Sequence, residues 1–100
     1  MEKSIYRTYK TFIFFQPKME KNSILEVLKK YYRMLSSRNA KFCFQNLGTK
    51  IFSYPIKGFS SATYIQITYT GNGELVEEIN RQLSITESVI RHITIKKEDK

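Results

Sequence analysis

The sequence predicts an α+β domain of ferredoxin-like type: a β-α-β-β-α-β sandwich with a four-stranded antiparallel sheet and two helices on one face. Three observations carry that reading. Four segments rich in β-branched and aromatic residues alternate with two segments of helical periodicity, in the order β, α, β, β, α, β. The chain has 100 residues and 41% hydrophobic content, enough for one core and too short for two. Two helices of about three turns cannot cover both faces of such a sheet, so they pack on one and leave the other open.

Tyr9 to Gln16 reads as the first strand and stops at Pro17. Tyr9, Thr11, Ile13 and Phe15 share one side and Lys10, Phe12 and Phe14 the other, so both faces call for cover. Ser23 to Glu26 has capping-box spacing, and Ile24, Leu28, Tyr31 and Leu35 mark the apolar stripe of the helix behind it. Glu26 and Lys30 stand as an i,i+4 pair, and Ser36 to Asn39 is the helix exit.

Lys41 to Tyr54 reads as a second strand with a bulge at Gly48. Pro55 lacks an N–H and belongs to an edge strand or a strand end. Lys57 to Ser61 is the next turn. Thr63 to Thr70 is the third strand, with Ile65, Ile67 and Tyr69 on one face and Tyr64, Gln66 and Thr68 on the other. Gly71-Asn72-Gly73 breaks it. Leu75, Val76, Ile79 and Leu83 mark the second helix, with Glu77 and Arg81 paired on its exposed side. Glu87 to Lys96 is the last strand, and Lys97 to Lys100 is expected to fray. Right-handed crossovers place the first and third strands centrally and the second and fourth at the edges.

Seventeen basic against nine acidic residues leave a net charge of +8, together with seven Tyr and seven Phe. On a small domain this points to a polyanionic partner, of which nucleic acid is the commonest. Arg7 and Lys10 open the first strand, Lys41, Lys50 and Lys57 follow the second, and Arg91, Lys96 and Lys97 lie on the last. With the second and fourth strands at the edges, these bases are expected to flank the sheet as two rails for phosphate contacts. Arg91 shares parity with Ile93 and Ile95, so it is expected near the core edge and held rigid unless a bulge intervenes.

The chemistry that the chain excludes is equally informative. One cysteine rules out an internal disulfide and a four-ligand zinc site, and Cys43 is expected to be a small buried hydrophobe. His92, the only histidine, is expected on a strand surface. No nucleophile–base pair, paired carboxylates, phosphate loop or metal motif appears, so the reading is non-enzymatic, without cofactor, metal or small-molecule substrate. No run approaches the roughly 18 apolar residues of a membrane-spanning helix. Met1 to Lys10 mixes Glu2 with bases and has no apolar signal core, so the protein is expected to work where it is made. An RNA-recognition-motif domain has the same element order. Lys57-Gly58-Phe59 and Tyr64 fit its third-strand pattern, but Ser60, Ser61 and Ala62 stand where glycine, an aromatic and valine are needed.

Leu47 to Ile56 resembles the W-G-x-R-x-L-A-Y-P-I segment of the bacterial-type small-ribosomal-subunit protein six family. Gly48, Tyr54, Pro55 and Ile56 match outright and Lys50 keeps the charge of the family's Arg. Ala62 and Tyr64 fit the strand that follows, Val89-Ile90-Arg91 resembles the V-I-R segment, and Arg7-Thr8-Tyr9 resembles the N-terminal R-x-Y. Leu47, Thr49 and Gly58 depart from the pattern. The resemblance implies the ferredoxin-like fold and a non-catalytic constituent of the small ribosomal subunit. It implies binding to the central domain of small-subunit ribosomal RNA together with small-subunit ribosomal protein eighteen. Carried onto this sequence, Arg7, Lys50, Lys57, Arg91 and Lys96 would meet RNA, and Tyr54, Pro55 and Ile56 would dock the partner protein. The chain has two alanines and is rich in Ile, Lys, Phe and Tyr, whose codons are AT-rich. That bias points to a plastid ribosome, organelle-encoded, or to the cytoplasm of a low-GC bacterium.

Overall fold

The computed structural model describes residues 7–97. The elements are β1 (Arg7–Phe15), α1 (Lys21–Ser37), β2 (Phe42–Ile56), β3 (Phe59–Gly71), α2 (Gly73–Ser84) and β4 (Val89–Lys96). The sheet order is β2-β3-β1-β4 with every pair antiparallel, so β1 and β3 are central and Pro55 sits on an edge strand. The expected fraying of the tail and the reading of the first residues fall, apart from residues 7–10 and Lys97, outside the described part. The Lys97 N–H donates to the Thr8 carbonyl at 2.8 Å, one step beyond β4.

Strand parity divides the molecule. Ile13 and Phe15 of β1 and Ile65, Ile67 and Tyr69 of β3 face the helices and are buried with Tyr31 and Leu35 of α1 and Leu75, Ile79 and Leu83 of α2. Both helices therefore cover one face, and that core stabilises the domain by about 1.5–3 kcal/mol for each large side chain removed from water. Phe12, Phe14, Tyr64, Gln66, Thr68, Arg91, Ile93 and Ile95 belong to the opposite face.

The helix ends differ in how legible they were. α1 starts at Lys21, two residues before the expected cap, because the Ser23 N–H is already bonded to the Glu20 carbonyl at 3.1 Å. Ser23 thus lies inside the first turn, and the capping box does not form. At the other end Asn39 takes φ 58°, and the Ala40 N–H returns to the Leu35 carbonyl at 3.0 Å, a left-handed stop that asparagine tolerates. The Asn72 side chain caps α2 by accepting from the Leu75 N–H at 3.0 Å. Arg81 pairs with Glu78 at 2.8 Å rather than with Glu77. That hydrogen bond holds the Glu78 carboxyl below its ordinary value. Among the described residues this is the sole ion pair, so Glu26 and Lys30 do not close one.

A hydroxyl relay crosses the core. The Tyr69 hydroxyl and the Thr11 Oγ1 are 3.0 Å apart, Thr11 and Thr94 Oγ1 atoms 2.9 Å, and Thr94 donates to the Asn80 Oδ1 at 2.9 Å. Each hydroxyl has one proton, so donation runs Tyr69 to Thr11 to Thr94 to Asn80 and links β3, β1, β4 and α2. The Tyr31 hydroxyl, by contrast, is buried without a partner; Thr86 approaches it without closing a hydrogen bond of acceptable geometry. We therefore expect Tyr31→Phe to be neutral or slightly stabilising and Tyr69→Phe to cost about 1–2 kcal/mol, read from urea unfolding. Burial pushes both phenols above 10.0, and for Tyr69 the hydrogen bonds to the threonine hydroxyls oppose it. The unfolded chain releases these protons near 10, the folded one later, so their stabilising contribution is complete below pH 10 and is lost as pH rises through the folded values. Urea midpoints measured from pH 8 to 11 should fall at the alkaline end, and less so in the Tyr31→Phe, Tyr69→Phe double variant.

Candidate nucleic-acid interface

The β2–β3 hairpin carries five of the expected site residues, Lys50, Tyr54, Pro55, Ile56 and Lys57. Gly48, at φ 87°, makes the expected bulge: the register with β3 shifts between Asn46 and Gly48, and the Gly48 N–H donates to the Asn46 Oδ1 at 2.8 Å. A wider interruption follows. Ile51 pairs with Ser61 and Ile56 with Phe59, so Phe52 to Pro55 stand opposite Ser60 alone. Pro55 has no N–H to lose in that unpaired stretch. The turn is shorter than expected, with Lys57 at φ 51° and Gly58 at φ 85°. Both central residues are left-handed, the type I′ geometry that matches strand twist. β3 consequently begins at Phe59, and Lys57-Gly58 lie in the turn. The RNA-recognition-motif pattern thus has Phe59 to Tyr64 on the central strand β3, where Ser61 stands in place of its middle base-stacking aromatic.

The hairpin tip folds back onto the open face. Phe14, Ala62 and Ile90 are buried there beneath Phe52, Ile56, Phe59 and Tyr64. The Phe14 ring centroid lies 5.7 Å from that of Phe52 and 4.8 Å from that of Tyr64. A bulge in β4 completes the cluster: Phe15 pairs with Val89 and Phe14 with Arg91, which leaves Ile90 unpaired and turned into it.

The structure sorts the expected site residues into two groups. Lys50 stands opposite Ala62 on the open side, Arg91 opposite Phe14, and Lys57 shares a cleft with Arg91. Arg7, opposite Gly71, and Lys96, opposite Tyr9, have the parity of the helix-covered face and lie at the other end of the sheet. Seven residues of β1 separate Arg7 from Phe14, about 24 Å. The cations thus gather at two ends instead of forming two rails. Arg91 is exposed, because the face it shares with Ile93 and Ile95 is the one that the helices leave open; the expectation of a core-edge, rigidly held arginine is corrected. Ile93 and Ile95 are 38% and 47% exposed beside it. None of Arg7, Lys50, Lys57, Arg91 and Lys96 pairs with a carboxylate among the described residues.

The apolar residues divide similarly. Tyr54 is 78% and Ile51 77% exposed, and Pro55 is exposed, whereas Ile56 packs inward against the Phe14 cluster. Cys43 is exposed, not buried. It alternates with Phe42 and Phe44, whose rings pack toward the helices, so its thiol faces out. Ile51, which sequence reasoning passed over, is the most protruding aliphatic side chain beside Tyr54; its β-branched character read only as strand propensity. Among the described residues no group of His, Cys, Asp and Glu could hold a metal ion, and no helix is long and apolar enough to cross a membrane.

Comparison with known proteins decides the family. The profile described as ribosomal protein S6 matches residues 8–96. The chain belongs to the ribosomal protein S6 family, a constituent of the small ribosomal subunit. The small ribosomal subunit protein bS6c of Guillardia theta is 33% identical over 88 residues, 87% of this chain and 92% of that protein. The bS6c of Porphyra purpurea is 32% identical over 88% of this chain and 80% of its own length. The bS6 of Prochlorococcus marinus is 32% identical over 88% of this chain but only 42% of that longer protein. The crystal structure of 30S ribosomal protein S6 from Thermotoga maritima superposes with a TM-score of 0.82 at 20% identity, covering 93% of this chain and 89% of that one. That likeness establishes the shared ferredoxin-like fold.

Proposed function

We propose that this family member binds the central domain of small-subunit ribosomal RNA together with small-subunit ribosomal protein eighteen, as a structural element without catalytic activity. Lys50, Lys57 and Arg91 neutralise phosphates at the hairpin end, and Arg7 and Lys96 reach a second stretch of backbone from the far end. Tyr54 and Pro55, with Ile56 anchoring their strand from beneath, dock the partner protein. The single observation that carries this reading is a set of cations without carboxylate partners among the described residues of a chain of the S6 family. An unpaired surface cation gives up no internal salt bridge when it meets a phosphate, so little opposes binding. We further propose a plastid ribosome as its location. The algal bS6c relatives and the AT-rich residue usage support it, while cyanobacterial relatives of similar identity keep a bacterial source in play.

Filter binding of a central-domain transcript, with and without protein eighteen, tests this across a salt series. We expect tighter binding with the partner present and a log–log salt slope of about −3 or steeper, because several phosphates are neutralised at once. A slope near zero, or no effect of the partner, would refute the reading.

A further inference from the structure

The cleft at the hairpin tip contains a titratable group that the contacts above do not use. It measures about 510 Å³ and is lined by Lys57 from the turn, Arg91 and His92 from β4, and Ser84 from the end of α2. Ile56 and Leu83 give it an apolar wall. The Ser84 hydroxyl donates to the Asn80 carbonyl at 2.9 Å, so toward His92 its oxygen can only accept, from the Nε2 at 3.4 Å. With the Ser84 proton on Asn80, the Nε2–H tautomer is the one that can donate to Ser84, which leaves Nδ1 as the open nitrogen.

The surroundings of that ring are short of negative charge. Lys57 faces it from the hairpin and Arg91 adjoins it on its own strand. Ser84, from α2, is uncharged, and Ile13, its cross-strand neighbour on β1, is apolar. Glu87, from the connection between α2 and β4, lines an adjoining cleft with Lys57 and makes no ion pair there. Burial first, and the Lys57 charge second, hold the imidazole below its ordinary value. Two permanent cations and a half-buried imidazole thus share one opening that no carboxylate of the described residues lines. An anion placed between them removes the repulsion that keeps the ring neutral. The volume accommodates one phosphodiester with its ribose against the apolar wall.

We propose that this cleft is a subsite for a single phosphodiester of bound RNA, held by Lys57, Arg91 and a protonated His92, so that RNA binding takes up a proton. The proposal rests on the RNA-binding reading above. Its sign is fixed by linkage: the imidazole titrates higher in the complex than in the free protein. Affinity is greatest at pH values below the free titration and declines as pH rises through the bound one.

Two measurements on the whole chain test it. His92 is the only histidine, so its imidazole signal is unambiguous in an NMR titration. At constant ionic strength, replacing chloride by sulfate, a phosphodiester stand-in, should raise the titration midpoint by about one unit, a tenfold change in proton affinity. Transcript binding with protein eighteen present, measured from pH 5.5 to 8.5, should weaken by roughly tenfold in the natural chain. In His92→Gln the same profile should be flat, with an unchanged melting temperature showing that the variant folds. An imidazole midpoint indifferent to sulfate, or equal pH profiles for the natural chain and His92→Gln, overturns the subsite. If the transcript fails to bind at every pH, the RNA reading itself has failed, and the sulfate titration still decides whether the cleft takes an anion.

Discussion

Replacing Lys50 and Arg91 together by alanine should lower affinity for central-domain ribosomal RNA about a hundredfold and leave the melting temperature almost unchanged. The two halves of that outcome have different causes. In the proposed complex each cation would make a charge-assisted contact with a net contribution of about 1.5 kcal/mol, so two of them amount to roughly a hundredfold. Each would also release condensed counterions, so the salt slope should become shallower by about two. Stability should be spared because neither side chain is paired among the described residues, whose ion pair joins Arg81 and Glu78 on α2. Both cations are exposed, and surface substitutions of this kind stay within about ±0.5 kcal/mol. Filter binding and thermal unfolding of the same preparation check both halves. A comparable loss of stability would assign the two residues to the fold.

Phe14→Ala has the opposite profile, costing about 3–5 kcal/mol of stability. Phe14 is 8% exposed on the face that the helices leave open, and it joins Phe52, Tyr64, Ala62 and Ile90 into the cluster that ties the hairpin tip to β4. That cluster holds three buried residues, against twelve in the core beneath the helices, and Phe14 is its only buried aromatic member, so its loss removes most of the cluster's buried ring contacts. For a domain of this size each kcal/mol moves the melting temperature by about 4–8 °C, which places the loss at roughly 15 °C or more. Hydrogen exchange should locate it. Amides of β2 and β3 around the turn should lose protection, while those of β1 and β3 opposite the helices keep more of theirs. The variant should also bind RNA more weakly, because Lys57 and Arg91 share their cleft only while the tip is folded down.

Much of this architecture was legible because the apolar residues carry the right periods. Ile24, Tyr31 and Leu35 on one helix, Leu75, Ile79 and Leu83 on the other, and the alternation of Ile65, Ile67 and Tyr69 mark the faces that meet in the core. Pro55 on an edge strand and the bulge at Gly48 followed from backbone chemistry alone. The misreadings are local. Ser23 to Glu26 has cap spacing, but a cap forms only where the chain enters the helix, and it enters at Lys21. Cys43 looked like a buried residue by type, whereas its alternation with Phe42 and Phe44 sends it outward.

The site was less legible than the fold, for a reason of geometry. Parity along Val89 to Lys96 is readable, but which face the helices cover depends on registers set by all four strands. Arg91 was therefore placed at a core edge when it stands on the open side. The fold-back of the hairpin depends on a four-residue interruption opposite Ser60 and on the unpaired Ile90, and neither has a sequence signature beyond Pro55 and Gly58. The meeting of Lys57 with Arg91 and His92, across more than 30 positions of sequence, follows from those two irregularities.

On the proposed reading, exposed cations seat this S6-family domain in the small subunit. Sucrose-gradient sedimentation of the tagged chain, expressed in a host carrying its own ribosomes, is the decisive experiment. The natural chain should travel with small subunits, and a Lys50→Ala, Lys57→Ala, Arg91→Ala variant that still melts as a folded protein should stay near the top of the gradient. Co-migration of that triple variant at natural levels, or a natural chain left at the top at low salt, would overturn that reading.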